Sequence, residues 1–328
     1  MKQKLFTGLK IVVTVVLIGF LVMSIGLDKL GGVLAQVRLL PFVLAVALYA
    51  VALLVGAVKW QVLVKAQEID ASLGALLSFS LVGLFLGNVM PSNVGGDVVR
   101  AYDLARATRG RAEAAAISVL VDRLMGLVAN LGAAVVMALL AGFMLARANQ
   151  IENLAVVTVV AAGVFVGGLV LLFSRRVSRR LAFLFDRQPL ARVKPLARKI
   201  YDALQVYRFR YRALAVNVTL SGVIVVVTAF VWYTVGVAVG ITNVSFVYFL
   251  LFNPLIAFVL LIPVSINGLG PKELTVVTFF SLIGVPQEQA LSMSLLFHVI
   301  LVLTSLPGGV LWFRARNLVP PQNSQIVE

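Results

Sequence analysis

Residues 88–102, NVMPSNVGGDVVRAY, interrupt a strongly apolar part of the chain with proline, asparagine and two glycines. A second interruption, PVSINGLGPKE at residues 263–273, ends another apolar run with the same kinds of residue and again leads into charged positions. Where such breaks lie at membrane depth, protein or a water-filled cavity must satisfy their backbone polar groups. The two stretches therefore predict two broken, re-entrant helical hairpins beside a cavity.

The rest of the chain has the composition of a membrane protein. Of 328 residues, 61% are apolar and 12% are charged, and the mean hydropathy is +1.04. The charged share is about half that of a soluble domain, which excludes a disordered chain, a fibre and an ordinary soluble enzyme. Apolar runs of about 18 residues or more indicate spanning helices, so the sequence predicts an all-α polytopic membrane protein.

The residue types that the chain lacks narrow its chemistry. It has no cysteine and one histidine, His298, which excludes disulfides, thiolate ligands and a multi-histidine metal site. We expect His298 to pack or to hydrogen-bond between helices. The P-loop, H-E-x-x-H and G-x-S-x-G patterns are absent. We therefore expect no enzyme activity, no ATP hydrolysis, no metal and no cofactor.

The basic residues indicate how the apolar runs are threaded. If every run crosses, the loop 174–212, which holds twelve basic residues, lies outside, against the positive-inside rule. If 74–111 and 246–285 are re-entrant, 23 basic residues, Lys59 and Lys65 among them, lie inside and four lie outside. This threading predicts six crossing helices in a bacterial-type inner membrane, with both termini cytoplasmic.

The same threading makes residues 1–328 a single membrane domain with two similar halves. Residues 7–145 have the order span, span, re-entrant hairpin, span, and residues 152–313 repeat it. Because three crossings turn the second copy upside down, the sequence predicts an inverted repeat. This is the usual architecture of secondary transporters, whose broken helices meet near the midplane.

The first break is predicted to start a helix over about 97–108. An asparagine or aspartate there is suited to cap it, and its free backbone N–H groups suit a phosphate. The arginine one turn further is placed to bind the same anion. Alternatively, the aspartate satisfies the helix dipole itself. The predicted binding residues of this break are Asn93, Gly95, Gly96, Asp97 and Arg100.

The second break is predicted to start a helix at Pro271, a favoured first-turn residue, with Asn267 as its cap. Here too the alternative is that a carboxylate of the chain satisfies the helix start. Carboxylates at both breaks favour a zwitterionic or aminoacylated headgroup, or a protonation cycle, over a pure phosphate site. The predicted binding residues of this break are Asn267, Gly268, Gly270, Lys272 and Glu273.

Asp122 and Arg123 lie within a run that is otherwise apolar from Ala114 to Phe143. An arginine at membrane depth costs about 2.5–3.5 kcal/mol on insertion scales, so it is expected to face a cavity or a partner. Neighbours in sequence point about 100° apart on a helix, so the two are not expected to neutralise each other. The alternative is that both lie near the cytoplasmic interface and extend into it.

The loop 174–212 ends in Arg208-Phe209-Arg210-Tyr211-Arg212. Alternating arginines and aromatic residues occur in proteins that bind single-stranded nucleic acid. A loop held between two spans is already at the membrane, however, and basic residues there bind anionic lipids. We therefore expect anionic inner-leaflet lipids as its partner, and no nucleic acid.

Residues 88–102 resemble the first signature of the lysylphosphatidylglycerol synthase transmembrane, or flippase-like, family, and residues 263–273 resemble its second. Asp122-Arg123 resembles the family's Asp-Arg pair. The departures are Ser92-Asn93, where glycine is common, and Lys272, where arginine is common. In the multiple peptide resistance factor this module moves an aminoacylated phospholipid to the outer leaflet, and a separate soluble domain makes that lipid. The resemblance implies lipid translocation, and we expect no synthase activity from this chain.

The leading hypothesis is a lipid flippase or scramblase that moves the headgroup of a phospholipid, aminoacylated lipid or glycolipid. Its expected partner is a membrane lipid with a phosphate-containing headgroup, and the two breaks are expected to form one central site. One alternative is an integral membrane transferase with Asp97 or Glu273 as base. Another is a lipid-binding accessory subunit. The sequence leaves open whether the protein is a homo-oligomer.

Overall fold

The computed structural model describes residues 2–89, 95–108, 111–146, 202–203, 205–259, 265 and 268–317. Over these ranges the chain is all-helical and without strands, as predicted. The helices are α1 (Lys2–Ile25), α2 (Leu27–Ala35), α3 (Leu39–Ala66), α4 (Leu73–Val89), α5 (Gly95–Ala107), α6 (Ala112–Ala146), α7 (Tyr211–Ala238), α8 (Phe246–Val259), α9 (Pro271–Ser281) and α10 (Gln287–Asn317).

Four of these helices, α3, α6, α7 and α10, are long and apolar enough to cross a membrane. The chain bends by 86° between α1 and α2, and this pair brings the number of candidate spans in the described ranges to five. Gly26 forms the bend with a φ of 95°, a conformation that glycine adopts without a side-chain penalty. The predicted span 152–173 lies outside the described residues, so six crossings remain a prediction.

The antiparallel pair α3 and α7 forms the centre of the bundle. At one end the N–H of Arg38 donates to the carbonyl of Ala238 at 2.9 Å. Near the other end Asn217 Nδ2 donates to the carbonyl of Lys59, also at 2.9 Å. We call the end where α3 finishes and where α6 and α7 begin the basic end, and the other the opposite end.

The first predicted hairpin is present as α4 and α5, which run antiparallel after the break. Gly83 and Gly96 bring their backbones together: a Cβ on Gly96 would lie 2.5 Å from the carbonyl oxygen of Gly83. Glycine at both positions is therefore what allows the chain to return beside itself. Both outer ends of this hairpin lie at the basic end, next to the end of α3 and the start of α6.

The second predicted hairpin is present as α8 and α9, which pack through aromatic rings. The ring centroids of Phe249 and Phe280 are 5.0 Å apart, and those of Phe252 and Phe279 are 5.3 Å apart. Because α8 follows the end of α7, this hairpin enters from the opposite end. Two short apolar hairpins thus enter the described bundle from its two ends.

The helix contacts follow the same pattern in both halves. α5 packs on α6 as α9 packs on α10, α3 packs on α4 as α7 packs on α8, and α6 packs on α8 as α10 packs on α4. These are the contacts that an inverted repeat of hairpin and span would give. The full repeat includes 152–173, which lies outside the described residues, and it remains a prediction.

Candidate functional site

A cavity of about 410 Å³ lies between the first hairpin and the helices α3, α6 and α7. On α3 its wall extends from Tyr49 to Lys59, the middle part of a 28-residue helix. At 1.5 Å per residue, Lys59 lies about 10 Å and Tyr49 about 25 Å from the basic end of that helix. The cavity therefore lies at mid-depth in the bundle. Its polar wall consists of Tyr49, Lys59, Ser80, Asn88, Asp97, Arg100, Asp122 and Thr228.

Asp122 is the centre of the charged residues around this cavity. Its Oδ1 accepts hydrogen bonds from Lys59 Nζ at 2.8 Å and from Asn217 Nδ2 at 3.0 Å. Its Oδ2 accepts one from Arg100 Nη2 at 3.2 Å. A carboxylate that is 4% exposed is stable as an ion only with such partners. Asp122 thereby ties α3, α5, α6 and α7 together.

Arg100 is held on one side by carboxylates and on the other by a ring. Besides Asp122, it pairs with Asp97 Oδ1 at 3.4 Å, and its guanidinium lies 4.2 Å from the ring centroid of Trp60. The indole N–H of Trp60 donates to Ser118 Oγ at 3.1 Å, which fixes the ring. The Nε of Arg100 is buried and has no hydrogen-bond partner among the described residues.

Arg123 pairs with Asp97, while Asp122 pairs with Lys59 and Arg100. The neighbours 122 and 123 thus have different partners, as their angular separation on a helix predicts. Among the described residues, three cations and two carboxylates make up this first ionic cluster, and their charges sum to +1. A net positive site at membrane depth is suited to an anion.

The second break forms a different kind of site. α9 begins at Pro271 as predicted, and Gly270, with a φ of 91°, occupies the cap position that we had predicted for Asn267. Glu273 Oε2 accepts a hydrogen bond from the N–H of Gly270 at 2.7 Å, and Oε1 accepts one from Ser294 Oγ at 3.2 Å. The carboxylate of the chain itself therefore occupies the place where an anion was expected.

Lys272 completes this second ionic cluster. Its Nζ is 3.1 Å from Glu273 Oε1, and the two residues are 2% and 0% exposed. Nζ also lies 5.7 Å from the ring centroid of Phe297, whose ring stacks on Trp232 at 4.0 Å. The pair is closed off from solvent, with the Phe297 ring beside it, and its charges sum to zero.

In the described ranges, the cavity therefore gathers some of the residues that the sequence analysis placed in one central site, and the second ionic cluster holds others. Gly96, Asp97, Arg100 and Asp122 line the cavity, and Arg123 joins them through Asp97. Within the described ranges, no residue of α8 or α9 lines it. Gly95 is buried at the start of α5, and Gly268 and Gly270 lie at the start of α9. Asn93 and Asn267 lie outside the described residues.

The start of α5 differs from the prediction by two residues. The helix begins at Gly95, so Asp97 lies in its first turn and does not occupy the cap position. From there its carboxylate reaches across to α6 and pairs with Arg123. An acidic side chain in the first turn still complements the helix dipole.

Two partners of Asp122, Lys59 and Asn217, were not among the predicted site residues. Lys59 was counted only as a charge on the cytoplasmic side, although a lysine that interrupts the apolar helix 39–66 is expected to have a partner. Asn217, which is 0% exposed, gave a weaker signal, since a single asparagine in a span also serves helix packing. Both are visible in the sequence as polar residues inside apolar runs. The sequence does not show that both contact Asp122.

At the basic end, the last part of the loop 174–212 is described and docks onto the end of α3. The Tyr207 hydroxyl donates to the carbonyl of Leu63 at 3.1 Å, and burial raises the pKa of Tyr207 above its ordinary value. Arg210 pairs with Glu68 at 2.8 Å. Phe209, by contrast, is 86% exposed. Residues 174–201 of this loop lie outside the described ranges.

The comparisons with known proteins agree with this architecture. The family described as "Lysylphosphatidylglycerol synthase TM region" matches residues 8–308. The chain belongs to this family. One relative of this chain is a UPF0104 membrane protein of Pyrococcus horikoshii. The two are 22% identical over 95% of this chain and 98% of the relative's length. A UPF0104 membrane protein of Methanothermobacter thermautotrophicus is 31% identical over 34% of each chain.

Proposed function

We propose that this protein moves lipid headgroups across the membrane through the cavity beside the first hairpin, as a flippase or scramblase. The lipid would be a phospholipid, an aminoacylated lipid or a glycolipid. The observation that carries this proposal is the cluster of Lys59, Asp97, Arg100, Asp122 and Arg123 around a mid-depth cavity. Membership of the family supports a lipid-related role in the membrane.

The first ionic cluster can replace the hydrogen bonds that a polar headgroup loses when it leaves water. A charged group in hydrocarbon is costly unless partners replace its hydration. Arg100 has a buried Nε that finds no partner in the described part of the chain, and its pairing with Asp97, at 3.4 Å, is the longest ion pair of the cluster. A phosphate that displaced Asp97 from Arg100 would gain a charge-assisted hydrogen bond.

The carboxylates of the first ionic cluster could bind the positively charged part of a headgroup. Asp97 is 24% exposed at its side chain and lines the cavity, whereas Asp122 is fully engaged with three donors. When a phosphate takes Arg100, Asp97 Oδ1 becomes available to an ammonium group on the same headgroup, while Oδ2 stays paired with Arg123. The arrangement thus favours a zwitterionic or aminoacylated headgroup over an anion alone.

For the protein's orientation, we propose that the basic end faces the cytoplasm of a bacterial-type cell, with both termini there. The basic residues at this end are Lys65, Arg106, Arg111, Arg208, Arg210 and Arg212. An excess of Lys and Arg in short loops is typical of the cytoplasmic side, where such residues attract anionic lipids. Phe209 and Tyr211, 86% and 66% exposed, alternate with arginines at this end and would insert at the headgroup level.

The experiment is a translocation assay in proteoliposomes with a headgroup-labelled phospholipid and an impermeant quencher added outside. We expect purified protein to transport faster than empty vesicles, and Arg100→Ala to lower that rate by at least tenfold. The matched control is Arg106→Ala, which removes an exposed arginine from the same helix. A wild-type rate equal to that of empty vesicles would refute the proposal. Lipid binding without transport would favour the accessory-subunit alternative.

A further inference from the structure

A second space in the bundle is lined by hydrocarbon. A groove of about 420 Å³ lies between α6, α7 and α8, and each lining residue is glycine, alanine, valine, leucine or methionine. Val136 and Val226 on its walls are 54% and 40% exposed. Because α6 and α7 are candidate membrane spans, the exposed side chains of this groove are suited to hydrocarbon.

The groove begins where the first ionic cluster ends. α6 and α7 run parallel from the basic end and are joined by the hydrogen bond between Asn217 Nδ2 and Asp122 Oδ1, at 3.0 Å. Val218, the next residue of α7, already lines the groove. From this contact towards the opposite end, the groove lies between the two helices.

The helical period places charge and groove on one face of α6. Ala129 lies seven residues beyond Asp122 and Ala133 lies eleven beyond it, so both share its face and are about 10 Å and 16 Å further along the axis. Both line the groove. A ligand extended along this face would therefore have a polar end at Asp122 and Arg100 and an apolar body between α6 and α7.

We propose that the groove holds one hydrocarbon chain of the lipid whose headgroup binds at the first ionic cluster. The inference rests on the proposed function and adds an orientation to it. The headgroup lies towards the basic end and the chain extends away from it, which is how a lipid of the leaflet at that end is oriented. The cavity and groove together match one amphiphile, with a charged head and a long chain.

Gly222 supplies a clean way to fill the groove. It lies on the wall of α7, and a Cβ added there meets no atom within 4 Å, so Gly222→Leu places a side chain in open space. Gly19 in α1 has the same open surroundings and lies away from the groove. Gly19→Leu is therefore the matched control for the cost of a glycine-to-leucine change in an apolar helix.

The test uses proteoliposomes that contain phosphatidylglycerol with a diazirine midway along one acyl chain. After illumination, adducts are mapped by mass spectrometry of peptides. We expect adducts on 128–137 and 218–226 to fall at least fivefold in Gly222→Leu and to be unchanged in Gly19→Leu. We also expect Arg100→Ala to lower these adducts, and not those on the exposed face of α3, because the headgroup anchors the chain.

Two results would overturn the inference. If Gly222→Leu leaves the adducts unchanged, the chain lies elsewhere or a segment of the protein occupies the groove. If Arg100→Ala leaves them unchanged while Gly222→Leu removes them, the groove holds bulk lipid that is not linked to the ionic cluster. The assay measures binding, so a protein that gives the expected adducts without translocation would refute the proposed function alone.

Discussion

The two hairpins have similar ingredients and use them in opposite ways. Each has a glycine-containing break, a charged helix start and a long helix packed beside it. In the first hairpin the charges reach other helices: Asp97 pairs with Arg123 of α6, and Arg100 pairs with Asp122. In the second, Glu273 turns back onto the start of its own helix and pairs with its neighbour Lys272.

This difference shows what makes a buried charge available to a ligand. Charges whose partners lie on other helices leave space between those helices, and the cavity occupies it. Charges that are satisfied locally can be fully buried, as Lys272 and Glu273 are, with the Phe297 ring beside them. The first hairpin is therefore the candidate binding element, and the second is an anchor that holds α9 against α10.

The largest effect on stability should come from the buried pair of Lys272 and Glu273. We expect Glu273→Ala to lower the free energy of unfolding by about 3–5 kcal/mol, because it leaves Lys272 as an uncompensated buried charge. The measurement is thermal unfolding in detergent. Glu113→Ala, which removes an exposed glutamate from the first turn of α6, is the control. A small loss for Glu273→Ala would show that the second cluster is hydrated and comparable to the first.

The next effect concerns how the first hairpin is closed. We expect Gly96→Ala to destabilise the protein by about 1–3 kcal/mol, the cost of overpacking, because its Cβ would overlap the carbonyl of Gly83. Gly74→Ala, at the start of α4 with no atom within 4 Å, should be neutral or slightly stabilising. Equal melting temperatures for the two variants would contradict the close contact of α4 and α5.

Two of the three tryptophans, Trp60 and Trp232, should separate binding from stability. Trp60→Leu removes the ring beneath Arg100, a cation–π contact of about 1–2 kcal/mol, so we expect headgroup affinity to fall about 5- to 30-fold. Trp232→Leu removes a ring that stacks on Phe297, beside the second ionic cluster. This change should lower the melting temperature without changing the headgroup affinity. A shift of headgroup affinity in both variants would mean that the two clusters act as one site.

The smallest effect belongs to the surface at the basic end. Arg210 and Glu68 are 39% and 78% exposed at their side chains, and exposed pairs contribute less than about 1 kcal/mol. We expect Glu68→Gln to change the melting temperature slightly, and less at high salt. A loss comparable to that of Glu273→Ala would show that this pair holds the loop in place.

The sequence was sufficient for features that depend on local rules. Proline, asparagine and glycine within apolar runs predicted both hairpins, and Pro271 marked the start of α9. Glu273, three residues after Gly270, occupies the position of a capping-box acid, so its return to the helix start was also a local signal.

The composition of the site depended on which helix faces meet, and a single sequence carries little information on those contacts. Asp122 is four positions from Ser118 along α6, yet one pairs with Lys59 and the other with Trp60, both on α3. The expectation that the two breaks share one pocket required a distance between helices from different halves. Hydropathy does not encode such a distance.

The single surplus positive charge of the first cluster has an electrical consequence. With a monoanionic headgroup bound, the five groups and their ligand sum to zero, whereas the empty site keeps one positive charge. A membrane potential acts with about 2.3 kcal/mol per elementary charge per 100 mV. If the proposed transport moves these groups along the membrane normal, voltage would act on the empty site and on the site with a zwitterionic headgroup, and not on the site with a monoanion.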